Sequence, residues 1–417
     1  MKEEIISGLD IGSSEIRLVV SQRSNRELGG GLQVIGAVSV PTSGFNKGVV
    51  SSIEDTTSSV SACIEKAERL VGVPINNVWL SVNDPKIRCE RSKGVVAVGK
   101  SDGEINEADI DRAIEAAGSV AVPANYEILH VIPIRFAVDN QEDIKDPIGM
   151  SGIRLEVETL IILGLSSQLK NLTKAIYRTG LDIEDLVVSP LAAGEALLSK
   201  KQKDLGVAVI NIGATTTGLS VYEEGNLLHA AILPVGSEHI TSDIAIGLRC
   251  PINLAERIKI EFGDAMPEII DKKEEINLEQ LSKEEEVNET LEPVSKKYVA
   301  EIIDARVEEI FNMIDNELKK IERSGMLPAG VFLTGEGSEL RNLTEAAKKY
   351  LRLPAGLGIN RNLETVIDKV NEGKYSTALG LIAWASHYEP QHKPSKITKN
   401  LGDIAGKVRS WIKKIAP

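Results

Sequence analysis

The sequence predicts an α/β protein of two duplicated halves that close on one cleft, and three observations carry that prediction. Residues 207–222, VAVINIGATTTGLSVY, read as a short apolar strand, a glycine turn rich in threonine and a second, alternating strand. Residues 5–20, IISGLDIGSSEIRLVV, repeat the plan. In both copies a residue with a side-chain carbonyl, Asp10 or Asn211, stands two places before Gly12 or Gly213. Small residues follow, Ser13 and Ser14 in one copy and Ala214, Thr215 and Thr216 in the other. Turns of this kind present backbone N–H groups and hydroxyls to an anion, because glycine permits the dihedrals and nothing bulky blocks approach. A third glycine turn, with Gly335, Gly337 and Ser338, follows the apolar stretch VFLT. Two jaws around one phosphorylated ligand are the simplest use of such a repeat.

The remaining elements fall in order. Residues 32–40 form a third strand that completes an antiparallel meander. Ile53, Val60, Ile64, Ala67 and Val71 recur at helical spacing, with Gly72 placed to end the helix. A strand over 78–82 precedes the turn signal Asn83-Asp84-Pro85. The pattern then changes to strand (87–98), helix (107–120) and two strands (127–138 and 153–163), which predicts a small α+β unit inserted into the first half. An amphipathic helix over 169–179 ends at Gly180, and residues 186–198 read as a strand, Pro190 and a small-residue helix rich in alanine. After the second turn, 227–233 continues the meander and 254–262 is helical, with Glu256 and Lys259 three residues apart on one face. Residues 271–293 hold nine acids against three lysines and read as a solvated loop or a ragged helix. A long helix covers 299–321, and a small-residue helix covers 377–384.

These readings set expected boundaries. The first half comprises 1–85 and 164–200, the insertion 86–163, and the second half 201–387, with 240–322 its smaller part. Residues 388–400 form a linker with two prolines, and 401–417 an amphipathic helix. In that helix Leu401, Ile404, Val408, Trp411, Ile412 and Ile415 share one face while Lys407, Arg409, Lys413 and Lys414 lie off it, the makeup of an anchor for an anionic membrane surface.

Composition narrows the function classes. With 42% hydrophobic and 26% charged residues the chain of 417 residues reads as a soluble protein of two to four units. A net charge of -13 argues against general nucleic-acid binding. The charge is uneven, since seven basic residues face one acid from 393 onward. Cys63, Cys89 and Cys250 lack metal-ligand spacing and read as reduced cytosolic thiols. The acidic start, MKEEIISGLD, is unlike a secretory signal, and no apolar run reaches the length of a membrane span.

Taken together, the duplicated turns, the third turn before a small-residue helix and the closing Tyr375-Ser-Thr-Ala-Leu-Gly resemble the actin and heat-shock chaperone ATPase superfamily. More narrowly, Ser43-Gly44 with Lys47-Gly48, His130-Val-Ile-Pro with Asp139, Asp146-Pro-Ile-Gly-Met-Ser-Gly152, Ser242-Asp-Ile-Ala and the basic amphipathic end resemble the FtsA family, bacterial actin-like proteins that tie FtsZ filaments to the membrane. The resemblance spans essentially the whole chain. It implies an actin-like ATPase fold and an ATP site in the cleft, with Asp10 near Mg2+ through water. It puts Gly12, Ser13, Ser14, Asn211, Gly213, Ala214, Thr215 and Thr216 around the phosphates, Glu256 and Lys259 beside the adenosine, and Gly335, Gly337 and Ser338 opposite. It further implies self-assembly into filaments, contact of the insertion with later division proteins, and capture of the acidic, apolar C-terminal peptide of FtsZ near Arg306. Such a protein works on the cytoplasmic face of the bacterial membrane, at the division site.

The chain departs from the family at several places. Asn211 and Gly218 stand where Asp is common, Gly213-Ala214-Thr215 where three glycines are, Glu336 where glycine is, and Glu15 where a basic residue is frequent. A neutral Asn does not orient metal-bound water as a carboxylate does, so these departures favour nucleotide binding with weak or no hydrolysis. Two other readings share the superfold: a small-molecule kinase, and an actin-like adaptor of pilus assembly. Neither accounts for a membrane-binding tail.

Overall fold

The computed structural model describes residues 4–23, 32–99, 102–278, 281, 292–360, 363–365 and 367–386. The first half opens with β1 (Glu4–Ile11), β2 (Glu15–Arg23) and β3 (Leu32–Pro41), an antiparallel meander. Helix α1 (Ile53–Val71) follows. Ser52 caps its start by accepting from the Asp55 amide, and Gly72, at φ 73°, ends it in the left-handed conformation that glycine tolerates best. Strand β4 (Asn77–Val82) then lies parallel to β1.

The chain leaves this sheet for β5 (Arg88–Ala97), α2 (Glu107–Gly118), β6 (Tyr126–Val138), β7 (Gln141–Ile144) and β8 (Arg154–Leu165). These strands form a separate antiparallel sheet in the order β5-β8-β6-β7. Helix α2 covers one face through Ile110, Ala113, Ile114 and Ala117. The chain returns by α3 (Ser166–Tyr177) to β9 (Asp182–Val188), which pairs with β4 in parallel.

Helices α4 (Ser189–Leu197) and α5 (Lys200–Leu205) lead to the second meander, β10 (Val207–Ile212), β11 (Thr217–Glu223) and β12 (Asn226–Leu233). Helices α6 (Ser237–Leu248), α7 (Ile252–Phe262) and α8 (Lys296–Lys320) pack around Ile240, Ile244, Leu254, Ile258, Ile303 and Val307. Strand β13 (Val331–Thr334), α9 (Leu343–Leu351), β14 (Ala355–Leu357) and α10 (Ser376–Ser386) complete the half. The first sheet runs β9-β4-β1-β2-β3, extended at its edge by Glu364–Thr365, and the second runs β14-β13-β10-β11-β12. In each sheet the meander is antiparallel and the two further strands are parallel, so the predicted duplication holds strand by strand.

Alternation along the strands gives each sheet two buried faces. Leu9 and Ile11 point with Leu18 and Val20 toward α1 and α3, whereas Ile6 and Val19 join Val207 and Val209 of the other sheet in one shared core. Helices α4 and α10 occupy that core and cross closely. A Cβ built on Gly380 would lie 1.7 Å from the Ala192 carbonyl oxygen, and one on Gly8 of β1 would lie 2.5 Å from the Ala378 carbonyl oxygen.

Five elements escape a reading by periodicity. Strand β7, QEDI, is polar, and β14 spans three residues. Helix α5 is one capped turn and a half, built on the Ser199–Gln202 capping box. Helices α6 and α9 are longer, but α6 buries a narrow stripe and α9 begins at Asn342 in the left-handed region rather than at an ordinary cap.

The crossing of α4 and α10 leaves no room for a side chain. Gly380→Val is expected to lower stability by at least about 3 kcal/mol, the upper end of overpacking costs, because the opposing atom is backbone. Urea melts of wild type and variant measure this; an unchanged midpoint contradicts it.

Candidate functional site in the cleft between the halves

Both predicted turns form, and each is closed by one bond. The Gly12 amide donates to the Glu15 carbonyl at 3.0 Å, and the Gly213 amide to the Thr216 carbonyl at 2.8 Å. The registers match as well, since Asp10 pairs across its hairpin with Arg17 and Asn211 across its own with Gly218. The turns meet: the Thr215 hydroxyl donates to the Ser13 hydroxyl at 2.7 Å. The third turn closes the group. Gly335 sits at φ 85°, where a Cβ would lie 2.3 Å from Asn211 Oδ1 and 2.5 Å from the Ile212 carbonyl oxygen, so only glycine fits. Between the turns lies an open cleft lined by Asp10, Gly12, Ser13, Ser14, Asn211, Gly213, Ala214, Thr215, Thr216 and Gly335 among others.

Two helices begin at this cleft. Ser189 at the start of α4 and Thr377 in the first turn of α10 both line it. Strand β11 holds α4 in place, since the Ser220 hydroxyl donates to the Pro190 carbonyl at 2.8 Å and Gly218 lies against the Pro190 ring. The amide of Asn211 donates to the Thr377 hydroxyl at 2.9 Å, and the Thr334 and Ser376 hydroxyls bond at 2.7 Å. Helix α6 starts on the second turn itself, its Ser237 and Glu238 amides donating to the carbonyls of Gly213 and Ala214. The positive ends of α4 and α10 thus point their partial charge at a space walled by glycine turns and hydroxyls, an environment suited to an anion.

Few charged groups stand here, and of them Asp10 and Arg17 are buried. Asp10 accepts from the Ser81 hydroxyl at 2.6 Å and the Asn83 amide at 3.3 Å. Burial pushes its carboxyl up, opposed by Ser81, the Arg17 guanidinium and Asn83. Glu238, exposed at the start of α6, has its carboxyl pushed up by partial desolvation and by Glu336 and Glu256 nearby. Arg17 is 5% exposed and donates through Nη2 to Glu15 at 2.9 Å and to Glu336 at 3.2 Å. Among the described residues no group of three or more His, Cys, Asp and Glu side chains is arranged to hold a metal ion by itself. Mg2+ keeps several waters and takes one or two carboxylates together with phosphate oxygens, and Asp10 is a carboxylate of that sort. The residues present therefore fit a phosphate-bearing ligand with its metal.

Not every residue expected at the site lines this cleft. Glu256 and Lys259 sit on α7, behind the first turn of α6, where Lys259 Nζ reaches Glu256 at 2.7 Å and the Thr241 hydroxyl at 2.8 Å. Gly337 packs on Ile212, beside a small apolar gap formed with Ile240, Val307, Ile310, Phe311 and Leu343. The Ser338 hydroxyl turns back to the Gly335 carbonyl at 2.6 Å. Arg306 is no bare cation: Asp243 takes its Nε and Nη2 at 2.6 and 2.9 Å and Glu309 takes Nη1, which together hold its charge firmly. The linker 388–400 and the helix 401–417, including Leu401, Trp411 and the rest of its two faces, lie outside the described residues.

Sequence reasoning missed Arg17, Ser81, Asn83 and Lys374, all of which line the cleft or hold Asp10. Arg17 carried a usable signal, because strand alternation puts it on the face of Glu15 and hairpin pairing puts it opposite Asp10. Ser81 and Asn83 carried none, since their approach depends on the parallel pairing of β1 with β4.

Asp10 also generates a prediction about stability. Its folded carboxyl titrates above the ordinary Asp value, so its favourable contribution is fully present below about pH 3.9 and is lost as pH rises through the folded value. Asp10→Asn, which keeps an acceptor for Ser81, is expected to stabilise the chain by about 1 kcal/mol at pH 7, and the gain is expected to vanish below about pH 3.9. Urea melts at both pH values measure it; a loss at pH 7 contradicts it.

Comparison with known proteins converges on the same cleft-bearing architecture. A family model described as cell division protein FtsA matches residues 208–380, and one described as the SHS2 domain inserted in FtsA matches residues 85–163. Cell division protein FtsA of Pseudomonas aeruginosa is 32% identical over 91% of this chain and 89% of that protein. The FtsA proteins of Neisseria meningitidis and Bacillus subtilis are 33% and 35% identical, over 99% and 92% of this chain and 98% and 83% of theirs. Among solved structures, a PilM–PilN type IV pilus biogenesis complex aligns with a TM-score of 0.63 at 15% identity, covering 90% of this chain and 97% of that one. MreB5 of Spiroplasma citri bound to ADP aligns at 0.53 with 12% identity, covering 92% and 96%. At such identities these two structures speak to the fold alone. The sequence relatives go further: this chain belongs to the FtsA family of cell-division proteins, built on the actin-like ATPase fold with an SHS2 insertion.

Proposed function

We propose that this protein is a membrane-tethered cell-division adaptor that binds ATP with Mg2+ in the cleft, polymerises, and anchors FtsZ filaments to the cytoplasmic face of the membrane at the division site. The observation that carries the nucleotide part is the meeting of two equivalent glycine turns, through Thr215 and Ser13, at the starts of α4 and α10. In this reading the turns and helix ends bind the phosphates, and Asp10 would hold Mg2+ through water, the metal supplying charge neutralisation when bound. The base lies on the side of α6 and α7 with Glu256 and Lys259. Asn211 is neutral and its amide nitrogen donates to Thr377, so the second turn offers no carboxylate at this position for water activation, in keeping with weak or absent hydrolysis. Nucleotide is then a ligand that sets the angle between the halves and hence the contacts of a filament, a population shift that needs no turnover.

The remaining parts rest on chain composition and family. The basic amphipathic stretch 401–417 attaches to anionic lipid, each cation near the surface adding about 1 kcal/mol. Among the described residues no helix is long and apolar enough to cross a membrane. One such helix binds reversibly, so polymerisation strengthens attachment through avidity. The SHS2 insertion serves contacts with later division proteins, and the α6–α8 face around Arg306 receives the acidic FtsZ tail, which would have to compete there with Asp243.

Titration of the full chain with ATP and Mg2+ in a calorimeter is expected to show one site per chain, with phosphate release slow or absent with and without lipid. Absence of heat with any nucleotide removes the nucleotide reading. Trp411→Glu, or truncation after Pro394, is expected to abolish co-flotation with anionic vesicles. Variants that still float contradict the anchor.

A further inference from the structure

The third turn carries an acid where a phosphate-binding loop ordinarily has none, and that acid is engaged across the cleft. One oxygen of Glu336, Oε2, accepts from the Ser14 hydroxyl at 2.8 Å and from Arg17 Nη2 at 3.2 Å. Ser14 and Arg17 belong to the first half and Glu336 to the second. An oxygen that takes one turn hydroxyl and one guanidinium N–H is in the bonding position of a phosphate oxygen. Arg17 is otherwise poorly satisfied for so buried a cation: its Nη2 is shared between Glu15 and Glu336, and its Nε has no hydrogen-bond partner.

We infer that Glu336 is an internal anion that occupies a phosphate subsite of the cleft and latches the two halves, and that the terminal phosphates of a nucleoside triphosphate must displace it to reach Arg17 and Ser14. This rests on the nucleotide reading above. The physical argument is one of exclusion. A polyphosphate beside Ser14 with Glu336 still in place would put three anions, with Glu15, around one guanidinium, while Asp10 stands opposite on the paired strand. Glu336 is half-buried at the rim of the turn, so its side chain can rotate away, whereas Arg17 on the central strand β2 stays. The guanidinium then meets an acceptor with more charge and two oxygens in place of one. Binding and the Ser14–Glu336 bridge are therefore mutually exclusive, which gives the ligand a direct hold on how the first and third turns stand.

The test uses the full chain as wild type, Glu336→Gln, Arg17→Gln and the double variant, each checked by thermal melt, titrated calorimetrically with MgATP and separately with inorganic tripolyphosphate. Removing the competing charge is expected to tighten both ligands about tenfold, the scale of one charge-assisted bond. Arg17→Gln is expected to weaken both, and in its presence Glu336→Gln is expected to gain about twofold or less. Should Arg17→Gln fail to fold, Arg17→Lys takes its place, with a smaller gain from Glu336→Gln than in wild type. Equal or weaker binding by Glu336→Gln overturns the latch while leaving nucleotide binding intact. Tripolyphosphate binding that tightens in Glu336→Gln, without any response to ATP, keeps the anion latch and removes the nucleotide. No response to either ligand in any folded variant overturns both.

Discussion

The close crossing of α4 and α10 is the contact on which the rest of this molecule depends. Both helices lie in the core between the two sheets, and the backbone of one touches the other because Gly380 has no side chain to hold off Ala192. The same economy recurs where Gly8 of β1 lies under Ala378. Small residues let the two sheets share a core to which Ile6 and Val19 contribute from one side and Val207 and Val209 from the other. With the sheets at that distance, the turns that end β1 and β10 have only one place to be, opposite each other and at the starts of the two helices.

That placement explains the electrostatics of the cleft. Helix starts, glycine amides and hydroxyls offer an anion much and a cation little, so the carboxylates found there are each held by specific donors. Asp10 is kept by Ser81 and Asn83 against the cost of burial, and Glu336 by Ser14 and Arg17. Stability is given up locally at Asp10 in exchange for a carboxylate at the mouth of the first turn, the pattern of a binding site rather than of a core.

The two copies of the turn are alike in backbone and unlike in chemistry. The first has its acid, Asp10, opposite Arg17; the second has the neutral Asn211 opposite Gly218, with Pro190 filling the space beside that glycine. A duplicated scaffold has thus been used asymmetrically, one hairpin bearing the charge and the other the hydroxyls and a helix start. The inserted sheet has one core of its own around α2 and β8, while its other face joins the shared core through Ile132, Leu160 and Ile162, with His130 edge-on to Trp384 of α10.

The sequence by itself determined the duplication, the turns, the insertion and most strands and helices, because these rest on local patterns: apolar alternation, helical spacing, and glycines at left-handed positions, such as Gly72 in open space and Gly335 where no other residue fits. It also named Asp10, Ser13, Gly213 and Thr215, whose proximity follows once two like turns are assumed to face each other. Short or polar elements such as β7 and α5 fell below the reach of periodicity. What only the tertiary structure decided is which distant groups meet. Ser81 reaches Asp10 through a parallel pairing, Glu256 and Lys259 end up behind α6, Arg306 is taken by Asp243, and Glu336 closes on Arg17 from the other half. No pattern along the chain encodes such contacts, since each is set by how one packed layer lies on another.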